Sequence, residues 1–156
     1  MPQIESREFG VLTYEETDVY RFPDGLPGFE EHREFLLVQR ETVAPFCFLQ
    51  SLSSDGLRFI CLAAGIVDPS FRAEVGAEEA SELGIAEGRY GLGAEDVQVL
   101  AILTIPEAGP ATANLFAPVL LAAGTRRGRQ CIQFGSSAPA AFEIGWMSRR
   151  DPQAVA

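Results

Sequence analysis

FCFLQSLSSDGLRFICLA, residues 46–63, sets two apolar arms around Ser53-Ser-Asp-Gly56. This is the strongest hairpin signal in the chain, because aspartate and glycine accept turn geometries that bulkier residues resist. The arms, residues 46–52 and 57–63, carry apolar side chains on both faces, as in Leu57-Arg-Phe-Ile-Cys-Leu62. A strand with one wet face alternates; one that is apolar on both belongs to a sheet covered on both sides or curled into a barrel.

Working outward, period-2 segments predict strands over residues 10–14, 18–22, 35–39, 97–105, 115–121 and 130–134. In the longest, Val97, Val99, Ala101, Leu103 and Ile105 share one face. Pro118 cannot donate to a ladder, so its strand must be an edge or carry a bulge there. Gln50 sits within an apolar arm, where a structural hydrogen bond is expected. The interval 77–83 followed by Gly84 predicts one short helix with a glycine stop. The expected fold is therefore mainly β: a single-domain small barrel (residues 1–135) and a loosely ordered C-terminal tail (136–156).

Residues 21–35, RFPDGLPGFEEHREF, hold two prolines and two glycines within six positions. A phosphate cradle is excluded, since the prolines remove two donors and the following acids repel an anion. Phe22-Pro-Asp-Gly25 and Leu26-Pro-Gly-Phe29 instead fit tandem turns, the second of type II with glycine supplying positive φ. Such stiff turns hold Leu26 and Phe29 in fixed directions, with inward packing the default and outward docking the alternative.

The 156 residues carry a net charge of −10, and every base is arginine. Residues 1–34 hold nine acids against three arginines; residues 74–96 hold seven against Arg89 alone; residues 126–156 reverse the sign with five arginines against two acids. Such a surface disfavours direct nucleic-acid or anionic-membrane binding and suits a basic protein partner. No apolar run reaches the roughly 20 residues of a membrane span, and the polar, acidic start is unlike a signal peptide. A cytoplasmic monomer is expected. Cys47, Cys61 and Cys131, each in an apolar run with no CxxC spacing, read as buried reduced thiols.

Catalytic signals are weak. His32, the only histidine, lies in the charged run Glu30-Glu-His-Arg-Glu34 and reads as a solvated residue, not as a base held by a third group. One histidine and three scattered cysteines give no metal-ligand spacing, and no DxDxDG loop is present. The expectation is no enzyme, no metal and no cofactor.

Phe9-Gly-Val-Leu-Thr13, Phe22-Pro-Asp-Gly-Leu-Pro-Gly-Phe-Glu30, Pro45-Phe46 with Leu49-Gln-Ser51, Leu57-Arg-Phe59, Asp68-Pro69, and Ala113-Asn-Leu-Phe-Ala-Pro118 followed by Gln130 share an order and spacing. In these residues the chain resembles the FliW family of flagellar assembly factors, over about residues 5 to 135. It departs from that pattern at Val119-Leu-Leu-Ala-Ala123 and in the arginine-rich ending. The resemblance implies a small β-barrel-like, non-enzymatic cytoplasmic protein with two partners: flagellin before export, and the RNA-binding translational repressor CsrA. Capture of the repressor, away from its RNA-binding surface, would relieve repression of flagellin synthesis. On this reading Glu78, Glu79 and Glu82 steer the repressor, while Leu26, Phe29, Asn114 and Phe116 meet flagellin. The alternatives are a flagellin-only export chaperone and a small-ligand-binding barrel.

Overall fold

The computed structural model describes residues 1–7, 9–53 and 56–148. The chain runs β1 (Gln3–Ser6), β2 (Gly10–Thr13), β3 (Tyr20–Arg21), β4 (Glu34–Gln39), β5 (Cys47–Ser51), β6 (Arg58–Ala63), α1 (Ala64–Val67), β7 (Arg72–Val75), α2 (Ala77–Leu83), β8 (Gly88–Gly91), β9 (Val97–Thr104), β10 (Pro110–Ala122), β11 (Arg127–Gln130) and β12 (Phe142–Ser148). The two apolar arms are β5 and β6, paired antiparallel with Cys47 opposite Cys61 and Gln50 opposite Arg58. Ser54 and Asp55 of the turn lie outside the described residues.

β3, β4, β5, β6, β9 and β10 form a continuous antiparallel ladder. β11 closes it into a seven-stranded barrel, pairing antiparallel with β10 and parallel with β3. The closing contact is short: Arg127 sits opposite Arg21, and Arg21 N donates to Arg126 O at 2.8 Å. Closure removes the open edges that a curled sheet would otherwise expose.

The both-faced apolar pattern now has its cause. One set of side chains fills the barrel, including Phe22, Phe35, Leu49, Cys61, Leu100, Val119 and Leu121, with the Phe22 and Phe35 rings edge-on at 5.1 Å. The opposite set faces two outer layers. The β1–β2 hairpin covers Leu36, Val38 and Phe48 with Leu12. β7, α2, β8 and β12 cover Leu62, Val97, Val99, Ala101 and Leu103 with Ala73, Leu83 and Ile144. In β9, Val97, Val99, Ala101 and Leu103 share the outer face as their spacing predicts, while Leu100 points inward.

Several details differ from the sequence expectation, beginning with β1, which precedes the first expected strand and pairs with β2. A second short helix, α1, follows β6 directly. The expected strand over 130–134 begins earlier, at Arg127, because the barrel seam needs Arg127 beside Arg21. The interval between α1 and β9 holds the β7–β8 pair besides α2. The stretch expected as a loose tail contains β12, whose Phe142 and Ile144 pair with Ala113 and Ala111 of β10; residues 149–156 lie outside the described residues.

Candidate interaction surfaces

The proline–glycine loop forms the two tandem turns that its sequence predicts. Gly25 N donates to Phe22 O at 2.9 Å and Phe29 N to Leu26 O at 2.7 Å, with Gly25 at φ +67° and Gly28 at φ +86°. Leu26 and Phe29 part company there. Leu26 is 2% exposed and packs on the barrel core; Phe29 is 40% exposed, its ring edge-on to Phe59 at 5.2 Å. Leu26 is thus the rivet, and Phe29 is the side chain within a partner's reach.

The Ala113–Pro118 stretch carries the bulge that Pro118 requires: the β9–β10 register shifts between Asn114 and Val119. Asn114 is structural, its Oδ1 accepting from Ala117 N at 3.0 Å. The main-chain groups freed by the bulge are taken up locally. Leu115 N and Phe116 N donate to Pro139 O, Phe116 O accepts from Gln133 N, Pro118 O accepts from Cys131 N, and Ala117 O accepts from Gln130 Nε2. This segment therefore offers a partner side chains, not a free strand edge. Half-buried Phe116 meets Phe134 edge-on at 6.3 Å, and Phe134 is 84% exposed. Sequence reading placed Phe134 at the end of a strand. The Gly-Ser-Ser that follows it was the one cue that this phenylalanine closes no core.

The three glutamates of α2 occupy two environments. Glu78 is exposed. Glu79 and Glu82 are half-buried and share Arg129 of β11, at 3.9 Å from Glu79 and in direct contact with Glu82. Glu79 also accepts from Gly76 N, closing the first turn of the helix, and Arg127 donates to Glu82 O at 3.0 Å. Two of the three acids thus hold α2 to the barrel.

His32 departs from the solvated reading. It is half-buried, with Nδ1 2.7 Å from Ser51 Oγ. Ser53 N donates to the same oxygen at 3.0 Å, so the hydroxyl is free to donate to the ring in its Nε2-protonated tautomer. Ser51 is fully buried, which shuts its oxygen away from any substrate; the pair braces the loop against β5. Gln50, also fully buried, meets its expected hydrogen bonds at Ser6 Oγ, Ser51 O and Leu57 O, each 3.2 Å. All three thiols are free and buried. Burial pushes Cys47 up to about 11, and burial with the nearby Glu79 carboxylate pushes Cys131 up to about 12; Cys61 is raised well above its usual value, chiefly by burial. Thiols held protonated in this way are poor nucleophiles. Among the described residues no helix is long and apolar enough to cross a membrane, and no group of three or more His, Cys, Asp or Glu is placed to hold a metal.

Comparison with known proteins agrees from three directions. The profile of the family described as FliW protein matches residues 3–144. Flagellar assembly factor FliW of Leptospira biflexa is 31% identical over 131 residues, spanning 83% of this chain and 82% of its own. Its counterpart in Caldanaerobacter subterraneus is 32% identical over 132 residues, spanning 83% and 84%. The crystal structure of a flagellar assembly factor FliW superposes with a TM-score of 0.80 at 29% identity, covering 91% of this chain and 96% of that one.

Proposed function

This chain belongs to the FliW family, and on that footing we propose that it is a flagellar assembly factor acting by protein–protein binding, without catalysis. Its partners on this reading are flagellin and the translational repressor CsrA. Flagellin occupies the factor until export; the freed factor then captures the repressor and restores flagellin synthesis.

The observation that carries this reading is the pairing of a net charge of −10 with aromatic side chains held outward on a barrel whose interior is filled. A filled interior speaks against a small-ligand barrel, since such a barrel needs an enclosed cavity inside its sheet. The acidic segment 74–96 speeds approach of a basic repressor, with exposed Glu78 its freest contributor on α2. Phe29 and the Phe116–Phe134 pair supply the apolar anchors that flagellin would bury. Leu26 and Asn114 act behind them, fixing the loop and the bulge.

Gel filtration of the chain with purified flagellin monomer tests the flagellin arm. A stable complex that Phe134→Ser weakens, with the fold intact, supports it; unchanged complex formation by Phe134→Ser and Phe29→Ser together removes this surface from the account.

A further inference from the structure

β3 is two residues long, and its pairing with β4 ends at Tyr20 opposite Phe35. A cleft of about 270 Å³ opens beyond that point, between the β1–β2 hairpin, β4 and the turn that carries Arg126. Leu12, Leu36 and Val38, which line it, belong to the outer layer under the hairpin and not to the filled barrel interior.

Arg126 is the one non-glycine residue at positive φ (+56°) among the described residues. Such a main chain persists where its surroundings over-determine it, and it gathers at binding sites. Here the surroundings hold the side chain three ways. Nη1 donates to the Tyr20 hydroxyl at 2.9 Å, Nη2 donates to Asp18 O at 2.8 Å, and the guanidinium lies 3.7 Å over the Tyr20 ring. All three contacts are with neutral groups. Arg40 also lines the cleft and stacks on another neutral group, the Phe9 ring, at 5.2 Å. Among the described residues neither guanidinium forms an ion pair. Asp18, the acid lining the cleft, is engaged elsewhere, its Oδ2 accepting from Glu15 N at 2.8 Å. A chain with 22 acids and 12 arginines thus leaves two cations without a counter-charge on one cleft.

We propose that this cleft binds a monoanionic carboxylate carried on a short aliphatic body. The two guanidiniums receive the head, Arg126 through the Nη hydrogens that Tyr20 and Asp18 leave free. Leu12, Leu36, Val38 and half-buried Tyr14 flank the body. A planar fork already fixed by three contacts loses little freedom on binding. Asp18 and the acidic surface repel a second negative charge, which disfavours a phosphate dianion. The ligand is either a free small acid or the carboxyl terminus of a polypeptide ending in an aliphatic residue. None of the residues assigned above to flagellin or the repressor lines this cleft, so the two readings stand or fall separately.

The test follows the amides of Thr13, Leu37 and Gln39, which line the cleft, by NMR as the full chain is titrated with hexanoate. Their shifts should saturate with a Kd on the order of 1 mM. Hexanamide, of the same shape without the charge, should bind about tenfold more weakly. Arg40→Gln should weaken hexanoate roughly fivefold. Arg126→Lys keeps the charge and loses the fork, and should weaken it at least as much, with thermal unfolding confirming the fold; Arg40→Gln carries the test if that variant does not fold. Acetyl-Ala-Leu separates the sources: tighter binding than hexanoate assigns a polypeptide terminus, weaker binding a free acid. Absence of shifts at roughly ten times the expected Kd overturns the site. So does equal binding of hexanamide, or hexanoate affinity unchanged by Arg40→Gln. Hexyl phosphate binding as well as hexanoate overturns the single-charge selectivity.

Discussion

Gln133 closes both ends of its side-chain amide on the main chain of Glu74: Oε1 accepts from Glu74 N at 2.8 Å and Nε2 donates to Glu74 O at 3.1 Å. One side chain thereby stands in for a neighbouring strand along β7. The same Nε2 donates to Cys131 O at 3.0 Å, and the residue is only 3% exposed. The β7–α2–β8 layer is thus pinned to the barrel at two places, by Gln133 on β7 and by Arg129 on α2.

Replacing Gln133 with leucine keeps the bulk and deletes the pin. The buried carbonyl of Cys131 and the main chain of Glu74 lose partners, which should cost about 2–3 kcal/mol. Urea unfolding should show a lower midpoint, and amides of β7 and β8 should exchange faster than those of β4 and β5. Equal loss of protection across all strands would mean the layer is not a separate unit.

The two glycines of the loop should respond differently to alanine. A Cβ on Gly28 meets nothing within 4 Å, so Gly28→Ala pays only for positive φ, about 1 kcal/mol. A Cβ on Gly25 would lie 2.6 Å from the Glu30 Cα, a main-chain atom that cannot swing aside. Gly25→Ala should therefore cost more, roughly 2–4 kcal/mol. Thermal unfolding of the two variants side by side checks the order.

Alkaline pH should destabilise the fold through its thiols. Cys47 titrates near 11 and Cys131 near 12 when folded, against 9.0 when free. The folded chain holds these protons more tightly, so the stability is fully present below pH 9.0 and is lost as pH rises toward about 11 and 12. Each thiol contributes a slope of roughly 1.4 kcal/mol per pH unit within its window. The chain has no lysine on that limb, and Tyr20 and Cys61, both raised by burial, add to the fall in the same direction. Cys131→Ala should flatten the fall in unfolding free energy between pH 9 and 11 (on the order of one thiol's slope); an unaltered slope would contradict the assignment.

Glu78 and Glu82 should separate association from stability. Glu78→Gln should slow association with a basic partner and reduce its salt dependence, with little change in stability. Glu82→Gln should instead cost about 1 kcal/mol, because Arg129 loses a half-buried counter-charge. Stopped-flow association in low and high salt, paired with urea melts, distinguishes the two.

The central strands were legible because their residues answer to both the barrel and its covering layers, which leaves β5, β6 and β9 apolar on both faces. The tandem turns and the Gly84 stop were legible from residue chemistry alone, and Gly84 does adopt the left-handed φ of +75°. β8, Gly-Arg-Tyr-Gly, was hidden because it is short, glycine-bounded and stable only against β7. β11 was displaced because Arg127 and Arg129 look unlike strand residues until their guanidinium groups find α2. Apolar Cys131 and Ile132 drew the prediction past its end, although Cys131 and Gln133 bond to the β10 bulge in place of a continuing ladder. The double role of the α2 acids was invisible for the same reason: Arg129 lies 47 residues from Glu82, and only closure brings them together.

The most direct test of partner switching is titration calorimetry of the purified chain with CsrA, with and without saturating flagellin monomer. The account predicts heat of binding to the repressor that flagellin abolishes. Binding of flagellin with no heat from the repressor would contradict the switch and leave a flagellin chaperone in its place.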